Sequence, residues 1–183
     1  MTTRRSGALL FLATVFITQT GYNECTGDVL HDPGFDIWCG DELCSWDIEK
    51  GDVRKVSTWH GGDPGVDLVG DEVAISQLSE YAPVDCLRFS LVADVSADAS
   101  VTLEMDLDDD GTVEYARAIP TSRWAELVYQ VELGYHDDIR FRLRKSGAGR
   151  AVLAQIRAVD NPECGGEPVP ACTEADPAGG TCE

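Results

Sequence analysis

The stretch Leu87-Arg88-Phe89-Ser90-Leu91-Val92-Ala93-Asp94 decides the fold of this chain. Every second residue from Leu87 to Ala93 is apolar, and the positions after each of them are Arg88, Ser90, Val92 and Asp94, three of which are polar. A period of two places all the apolar side chains on one face of an extended backbone. The stretch therefore predicts a β-strand that packs against a core on one side only.

The same period recurs along most of the chain, and no long stretch has the 3.6-residue period of a helix. The clearest further examples are residues 101–108, 127–133 and 139–143. Other predicted strands are 28–31, 52–59, 65–69, 72–78, 112–119 and 150–159. About ten short strands separated by Gly, Asp and Pro turns predict an all-β protein, an antiparallel two-sheet β-sandwich.

The N-terminus has the pattern of a secretory signal peptide over residues 1–21. Arg4 and Arg5 precede an apolar run at 7–17, and small and polar residues follow it. Such a run is shorter than the roughly 20 residues that a transmembrane helix needs. We therefore expect an exported protein without a transmembrane span, either extracellular or periplasmic and outer-membrane-associated.

The remainder divides into a domain and a tail. Residues 22–160 contain all the predicted strands, whereas 161–183 consist mainly of Gly, Pro, Glu and Cys. A segment with almost no large apolar residue cannot form a packed element, so the tail is predicted to be an irregular loop held by its cysteines.

The chain is strongly acidic, with 33 Asp and Glu against 14 Lys and Arg and a formal net charge of −19. A surface of this sign repels phosphate backbones and anionic lipid. The composition therefore argues against nucleic acid and membrane surfaces as partners. It fits an acidic, soluble exported protein, or scattered carboxylates that bind cations weakly.

Seven cysteines in an exported chain indicate disulfides, and the odd number leaves one over. Cys39 and Cys44 bracket a short loop that a disulfide could close, and a metal site there would lack its second pair of ligands. By the same logic Cys172 and Cys182 could close the tail. Cys86 would then be the cysteine left over.

Cys25 follows the predicted signal peptide at the place where a bacterial lipoprotein carries its lipidated cysteine. The residues before it are Tyr22-Asn23-Glu24, whereas the lipoprotein pattern has small residues there. A disulfide is therefore favoured for Cys25, with lipidation as the alternative.

The order of features over 30–160 resembles the jelly-roll carbohydrate-binding modules of bacterial secreted enzymes, the galactose-binding-domain-like class. Residues 30–36, Leu-His-Asp-Pro-Gly-Phe-Asp, are similar to the opening strand of that class. The features that follow in the expected order are Trp46, Gly51, Gly65, Leu68, Gly70, residues 74–77, Trp124 and the final strand at 150–159. The resemblance implies a jelly roll and a non-catalytic glycan-binding module.

Two further expectations come from this resemblance. In such folds the first and last strands are neighbours, which implies a disulfide between Cys25 and Cys164. The class also commonly holds a structural calcium through an Asp in its last strand. Residues 152–157 of this chain contain no carboxylate, so the chain departs from the class at this calcium position.

Aromatic residues near turns are candidates for stacking on sugar rings. Trp38, Trp59 and Tyr135 lie in or beside turns, and an aromatic face complements the apolar face of a pyranose. The alternative is that these rings cover loop edges, with Trp46 and Trp124 in the core.

Three arginines on one face of a predicted strand form a second candidate ligand surface. Arg140, Arg142 and Arg144 alternate with apolar residues. They could hold an acidic glycan, or they could pair across strands with the abundant carboxylates.

Residues 106–114 carry the Asp-x-Asp-x-Asp-Gly spacing of calcium loops. The ligands of such a site would be Asp106, Asp108, Asp110 and Glu114, although Arg117 occupies the place of the usual twelfth ligand. The alternative is a plain hairpin turn, which Asp-Gly between two alternating runs also indicates.

The sequence contains no catalytic motif of the common hydrolase or metalloprotease kinds. Glu104, Glu114 and Glu132 lie on or beside predicted strands and could supply a glycosidase pair, but nothing singles out two of them. We therefore predict a non-catalytic, exported glycan-binding module without a cofactor other than the possible calcium. The alternatives are an envelope-associated interaction protein without a sugar ligand and a small jelly-roll glycosidase.

Overall fold

The computed structural model describes residues 28–58, 62–80, 86–134, 136 and 138–160, and this part of the chain contains ten strands and no helix. No helix suited by length and hydropathy to cross a membrane occurs among these residues. The strands are β1 (Trp38–Cys39), β2 (Glu42–Leu43), β3 (Asp47–Ser57), β4 (Pro64–Glu80), β5 (Cys86–Val95), β6 (Ser100–Leu107), β7 (Tyr115–Ile119), β8 (Ser122–Glu132), β9 (Asp138–Ser146) and β10 (Ala151–Asp160).

The long strand β4 joins the two layers of the fold. Residues 64–69 of β4 lie beside β10, with Val66 opposite Leu153, whereas residues 72–80 lie beside β9. Gly70 separates the two halves with a φ of +107°, a conformation that other residues rarely adopt. Strand β3 follows β4 antiparallel through both halves, and its pairing shifts around Gly51, which has a φ of +75°.

Each layer is an antiparallel sheet that takes its name here from its central strand. The β10 layer has the order β8-β5-β10-β4, and the β9 layer has the order β4-β9-β6-β7. The inward faces share one apolar core, in which the rings of Phe89 and Phe141 lie with centroids 6.2 Å apart. Leu87, Phe89 and Leu91 are fully buried, so the strand predicted from the alternation at 87–94 is confirmed.

Several strand boundaries differ from the prediction. The two strands predicted at 65–69 and 72–78 are the single strand β4, because a glycine lets the backbone bend without ending its pairing. The first predicted strand, 28–31, contributes only one antiparallel bridge, between Asp28 and Val159. The other corrections are that β3 begins at Asp47, that β7 begins at Tyr115, and that β1 and β2 form a hairpin that was not predicted.

The segment at Asp28 attaches the start of the domain to its last strand, as the resemblance implied. The Val29 N–H donates to the Ala158 carbonyl, and the Asp28 carboxylate accepts hydrogen bonds from the N–H groups of Leu30 and Ala158. Burial raises the pKa of Asp28 against the opposing effect of these hydrogen bonds and of Arg157. The Asp28 carboxylate therefore stabilises the contact between the start of the domain and β10.

The predicted disulfide between Cys39 and Cys44 is confirmed, with a Cα–Cα distance of 5.7 Å across the β1–β2 hairpin. Cys86 is also disulfide-bonded, so the prediction that it would be left over is wrong. The proposed pairs Cys25–Cys164 and Cys172–Cys182 lie outside the described residues, as do the predicted signal peptide and tail.

Candidate functional site

The three arginines predicted to hold an acidic glycan project from the outer face of the β9 layer, where carboxylates surround them. The hydrogen bond from Arg140 holds the pKa of Asp109 below its usual value. Cross-strand pairing is therefore what the structure shows on this face, and the arginines are not an unpaired basic surface. The ion pairs are Arg140–Asp47, Arg140–Asp109, Arg142–Glu49, Arg142–Glu104 and Arg144–Glu104, with N···O distances between 2.6 and 3.8 Å.

Of the three aromatic candidates, only Trp38 lies among the described residues; Trp59 and Tyr135 do not. Trp38 is partly buried against the core, its indole N–H donates to the Phe35 carbonyl at 2.7 Å, and the Lys55 ammonium lies 5.9 Å from its ring centroid. These contacts give Trp38 a structural role at the edge of the sandwich.

The candidate calcium loop forms the β6–β7 hairpin, the alternative that the Asp-Gly pair indicated. Asp106 is 1% exposed, and its two carboxylate oxygens accept the N–H groups of Asp110 and Gly111 at 3.0 Å. Glu114 accepts the Leu107 N–H. Among the described residues no three metal-ligating side chains are grouped, and calcium in this loop stays a prediction.

Replacing Asp106 with Ala is expected to lower the free energy of unfolding by about 1.5–3 kcal/mol, because two backbone donors lose a charged acceptor in a buried place. Urea denaturation monitored by tryptophan fluorescence measures the change. Asp110→Ala is the control, because the Asp110 carboxylate is exposed and accepts its hydrogen bonds from the backbone N–H and the side chain of Thr112. Equal losses for the two variants would contradict the role given to Asp106.

The three glutamates considered for glycosidase chemistry lie at different places in the fold and have different partners. Glu104 faces the arginines on the outer face of the β9 layer, whereas Glu132 lies at the end of β8 in the β10 layer. Glu114 is held at the hairpin by its hydrogen bond to Leu107.

A groove of about 590 Å³ lies on the outer face of the β10 layer, and its residues were not predicted as a site. Its floor is formed by β5, β10 and β8, and the loop at 33–36 lines it on one side. The volume lies within the range of ordinary ligand sites. Its polar lining comes from Asp36, Arg88, Ser90, Glu126, Gln155 and Arg157.

The strand register explains why these polar groups converge. Ser90 lies opposite Arg157 on β10, and Arg88 lies one outward position further along β5, opposite Val159. On the other side of β5, Glu126 of β8 lies opposite Val92. All are outward positions of strands whose alternate residues are in the core, so one flat face presents the whole set.

A β-bulge on β10 brings a further side chain into the groove. The pairing with β5 shifts between Ala154 and Arg157, and Gln155 has a φ of +48°. Bulges of this kind turn a side chain away from the regular alternation. The Gln155 amide N–H donates to Asp63 at 2.7 Å, which holds the amide in a defined orientation at the groove.

An aromatic ring stands further along the same layer. The pairing of β5 with β8 shifts between Ala93 and Val95, and Trp124, at this irregularity, has a φ of +53° and is partly exposed. The Arg150 guanidinium lies 5.9 Å from the ring centroid and forms an ion pair with Asp94 at 2.7 Å. From Arg88 to Asp94 the strand spans about 20 Å, at about 3.3 Å per residue.

The loop that lines the groove is built on a buried carboxylate. Asp32 is 2% exposed and accepts the N–H groups of Asp36 and Ile37 at 2.8 and 3.2 Å. Its own carbonyl accepts the indole N–H of Trp46, which packs on Phe35 with ring centroids 5.2 Å apart. The run that was compared with an opening strand is therefore a rigid loop beside the groove.

The groove had a signal in the sequence, which was the polar face of the stretch at 87–94. Arg88 and Ser90 occupy the outward positions that the alternation defined. The alternation within one strand does not show which strands lie next to it. The proximity of Arg88 and Ser90 to Arg157 and Glu126 therefore became visible only from the strand register in the structure. The irregular positions at Gln155 and Trp124 have no recognisable pattern in the sequence that would predict them.

The comparisons with known proteins identify the fold. No protein-family model matches the chain, and no curated protein is significantly similar. A family 61 carbohydrate-binding module, TmCBM61, solved in complex with β-1,4-galactotriose, is 18% identical with a TM-score of 0.56, covering 73% of this chain and 99% of that one. A CBM4 module is 9% identical with a TM-score of 0.52, covering 72% of this chain and 99% of that one.

The CBM22-1 xylan-binding domain of Paenibacillus barcinonensis Xyn10C is 14% identical with a TM-score of 0.50, covering 69% of this chain and 90% of that one. The common feature of these three structures is a β-sandwich of nearly the same extent as the described domain. The chain is therefore a β-sandwich domain with the fold of carbohydrate-binding modules, as the resemblance implied.

Proposed function

We propose that the protein is a non-catalytic, exported module that binds a glycan along the groove of the β10 layer. The observation that carries the proposal is the convergence of planar polar side chains on one open groove, with a partly exposed tryptophan further along the same face. Guanidinium, carboxylate and amide groups donate and accept pairs of hydrogen bonds, which suits neighbouring hydroxyls on a sugar ring.

The length of the outer face of the β10 layer supports the same function. A face about 20 Å long with Arg88 toward one end and Trp124 toward the other can accommodate several sugar residues in a row. The fold comparison adds that a module with this architecture was solved with a galactotriose. The predicted signal peptide would deliver such a module to extracellular or cell-surface glycans.

The first test is a glycan array followed by isothermal titration calorimetry with the best oligosaccharide. Replacing Trp124 with Ala is expected to weaken binding about tenfold, because a stacked ring contributes of the order of 1 kcal/mol beyond its buried area. The matched control is Tyr115→Ala, which removes another partly buried aromatic ring from β7, the edge strand of the β9 layer. Its dissociation constant should remain that of the wild type, provided that circular dichroism shows a folded domain.

Two outcomes would contradict the proposal. One is the absence of binding to any glycan on the array by the wild-type protein. The other is full binding in Trp124→Ala together with loss of binding in a folded Tyr115→Ala, which would move the site away from the β10 layer.

A further inference from the structure

Two arginines in the groove lie next to each other, and neither has an ion-pair partner within 4 Å among the described residues. Ser90 lies opposite Arg157, and Arg88 lies two residues before Ser90, so the arginines are diagonal neighbours on the outer face of β5 and β10. Diagonal positions of this kind bring long side chains within reach of each other. Both arginines are exposed and line the same groove.

The isolation of this pair contrasts with the arginines of the β9 layer. Within the described residues neither Arg88 nor Arg157 has an ion pair within 4 Å or a side-chain hydrogen bond. Arg140, Arg142 and Arg144, by comparison, each have a carboxylate partner. In a chain with 33 acidic and 14 basic residues, two adjacent unpaired guanidinium groups are unexpected, because like charges on neighbouring strands repel.

The carboxylates nearby form no direct ion pair with the two arginines among the described residues. Asp28 interacts electrostatically with Arg157 but not within 4 Å, and its Oδ1 accepts two backbone N–H groups. Asp36 lies on the loop at the side of the groove, and Glu126 lies opposite Val92, two residues beyond Ser90. The groove is thus basic at the Arg88 end and acidic further along.

We infer that the Arg88–Arg157 pair is a subsite for a carboxylate, so that the ligand is an acidic glycan containing uronic acid residues. This inference rests on the proposed function, since it names the class of glycan that the same groove binds. A guanidinium group offers two parallel N–H donors that match a carboxylate. Neutral sugar units of the same glycan would then lie toward Glu126, because this carboxylate would repel a second carboxylate of the glycan.

The test compares matched oligosaccharides by isothermal titration calorimetry. Oligogalacturonate, alginate and hyaluronan oligosaccharides are each measured beside the same oligosaccharide after reduction of its carboxyl groups to alcohols. A sulfated oligosaccharide from carrageenan is the third arm. We expect at least one carboxylated oligosaccharide to bind about tenfold more tightly than its reduced counterpart, with an affinity that falls as the salt concentration rises.

The variants Arg88→Gln and Arg157→Gln should each remove this preference, leaving binding at the level of the reduced oligosaccharide. Arg144→Gln is the matched control, because it removes the same charge from an exposed arginine on the other layer. Arg88→Lys keeps the charge and loses the paired donors, so its affinity should fall while its salt dependence remains.

The outcomes separate this inference from the proposed function. If neutral oligosaccharides bind as tightly as carboxylated ones and the two groove variants behave like Arg144→Gln, the inference is wrong while the glycan-binding function stands. Preference for the sulfated oligosaccharide over every carboxylated one overturns the assignment to a carboxylate. If none of these oligosaccharides binds but a neutral glycan on the array does, the inference alone is wrong. If no glycan on the array binds either, both proposals are wrong.

Discussion

Replacing Trp46 with alanine is expected to lower the free energy of unfolding by about 3–5 kcal/mol, the usual range for a buried aromatic side chain. Trp46 is 3% exposed, packs on the fully buried ring of Phe35 and donates its indole N–H to the carbonyl of Asp32. Alanine removes both the packing and the hydrogen bond. Urea denaturation, monitored by far-ultraviolet circular dichroism because the variant loses a tryptophan, measures the loss.

The control is Trp46→Phe, which keeps an aromatic ring in the core and removes mainly the indole hydrogen bond. Its expected cost is about 1 kcal/mol plus the effect of a smaller ring. Since Trp46 holds Asp32, and Asp32 holds the backbone at Asp36 and Ile37, the alanine variant should also weaken ligand binding at conditions where it remains folded. A loss below about 1 kcal/mol for Trp46→Ala would contradict the assignment of this ring to the core.

The sequence was sufficient to predict the layered β-architecture, because burial of one face of a strand leaves a period of two. Phe89 and Phe141 lie in two alternating runs, and they are the rings that meet across the core. The sequence predicted two strands, 65–69 and 72–78, where the structure has the single strand β4. A glycine looks the same in sequence whether it ends a strand or bends one, and Gly70 bends β4 between two layers.

The site was less predictable than the fold, because it depends on which strands are neighbours. Arg142 and Arg157 are both outward-facing basic residues of strands, and nothing local distinguishes them. The difference comes from the register, which places Glu49 and Glu104 around Arg142 and Ser90 beside Arg157. The position of Trp124 depends on the register likewise: the alternative interpretation placed it in the core, and it is partly exposed at an irregular position of β8.

Replacing Ser90 with tryptophan is expected to weaken glycan binding by at least about 100-fold, equivalent to about 2.8 kcal/mol. Ser90 lies on the groove floor between Arg157 and Val128 in the register. A large ring at this position would occupy the space through which the ligand passes. The fold should be retained, because the position points outward and tryptophan is favoured in strands. Calorimetric titration with the best oligosaccharide measures the loss.

The matched control is Thr102→Trp, which places the same ring on the outer face of the β9 layer. Thr102 of β6 lies between Ala118 and Arg144 in the register and is partly exposed, like Ser90. Because Thr102 is distant in topology from the groove, its variant should bind within about twofold of the wild type. The opposite result, in which Thr102→Trp no longer binds the glycan and Ser90→Trp binds it normally, would move the site to the arginine face of the β9 layer. A ligand there would have to displace Glu49 and Glu104 from their arginines, so the affinity of Glu49→Gln would increase. If the site is the groove, the affinity of Glu49→Gln remains that of the wild type.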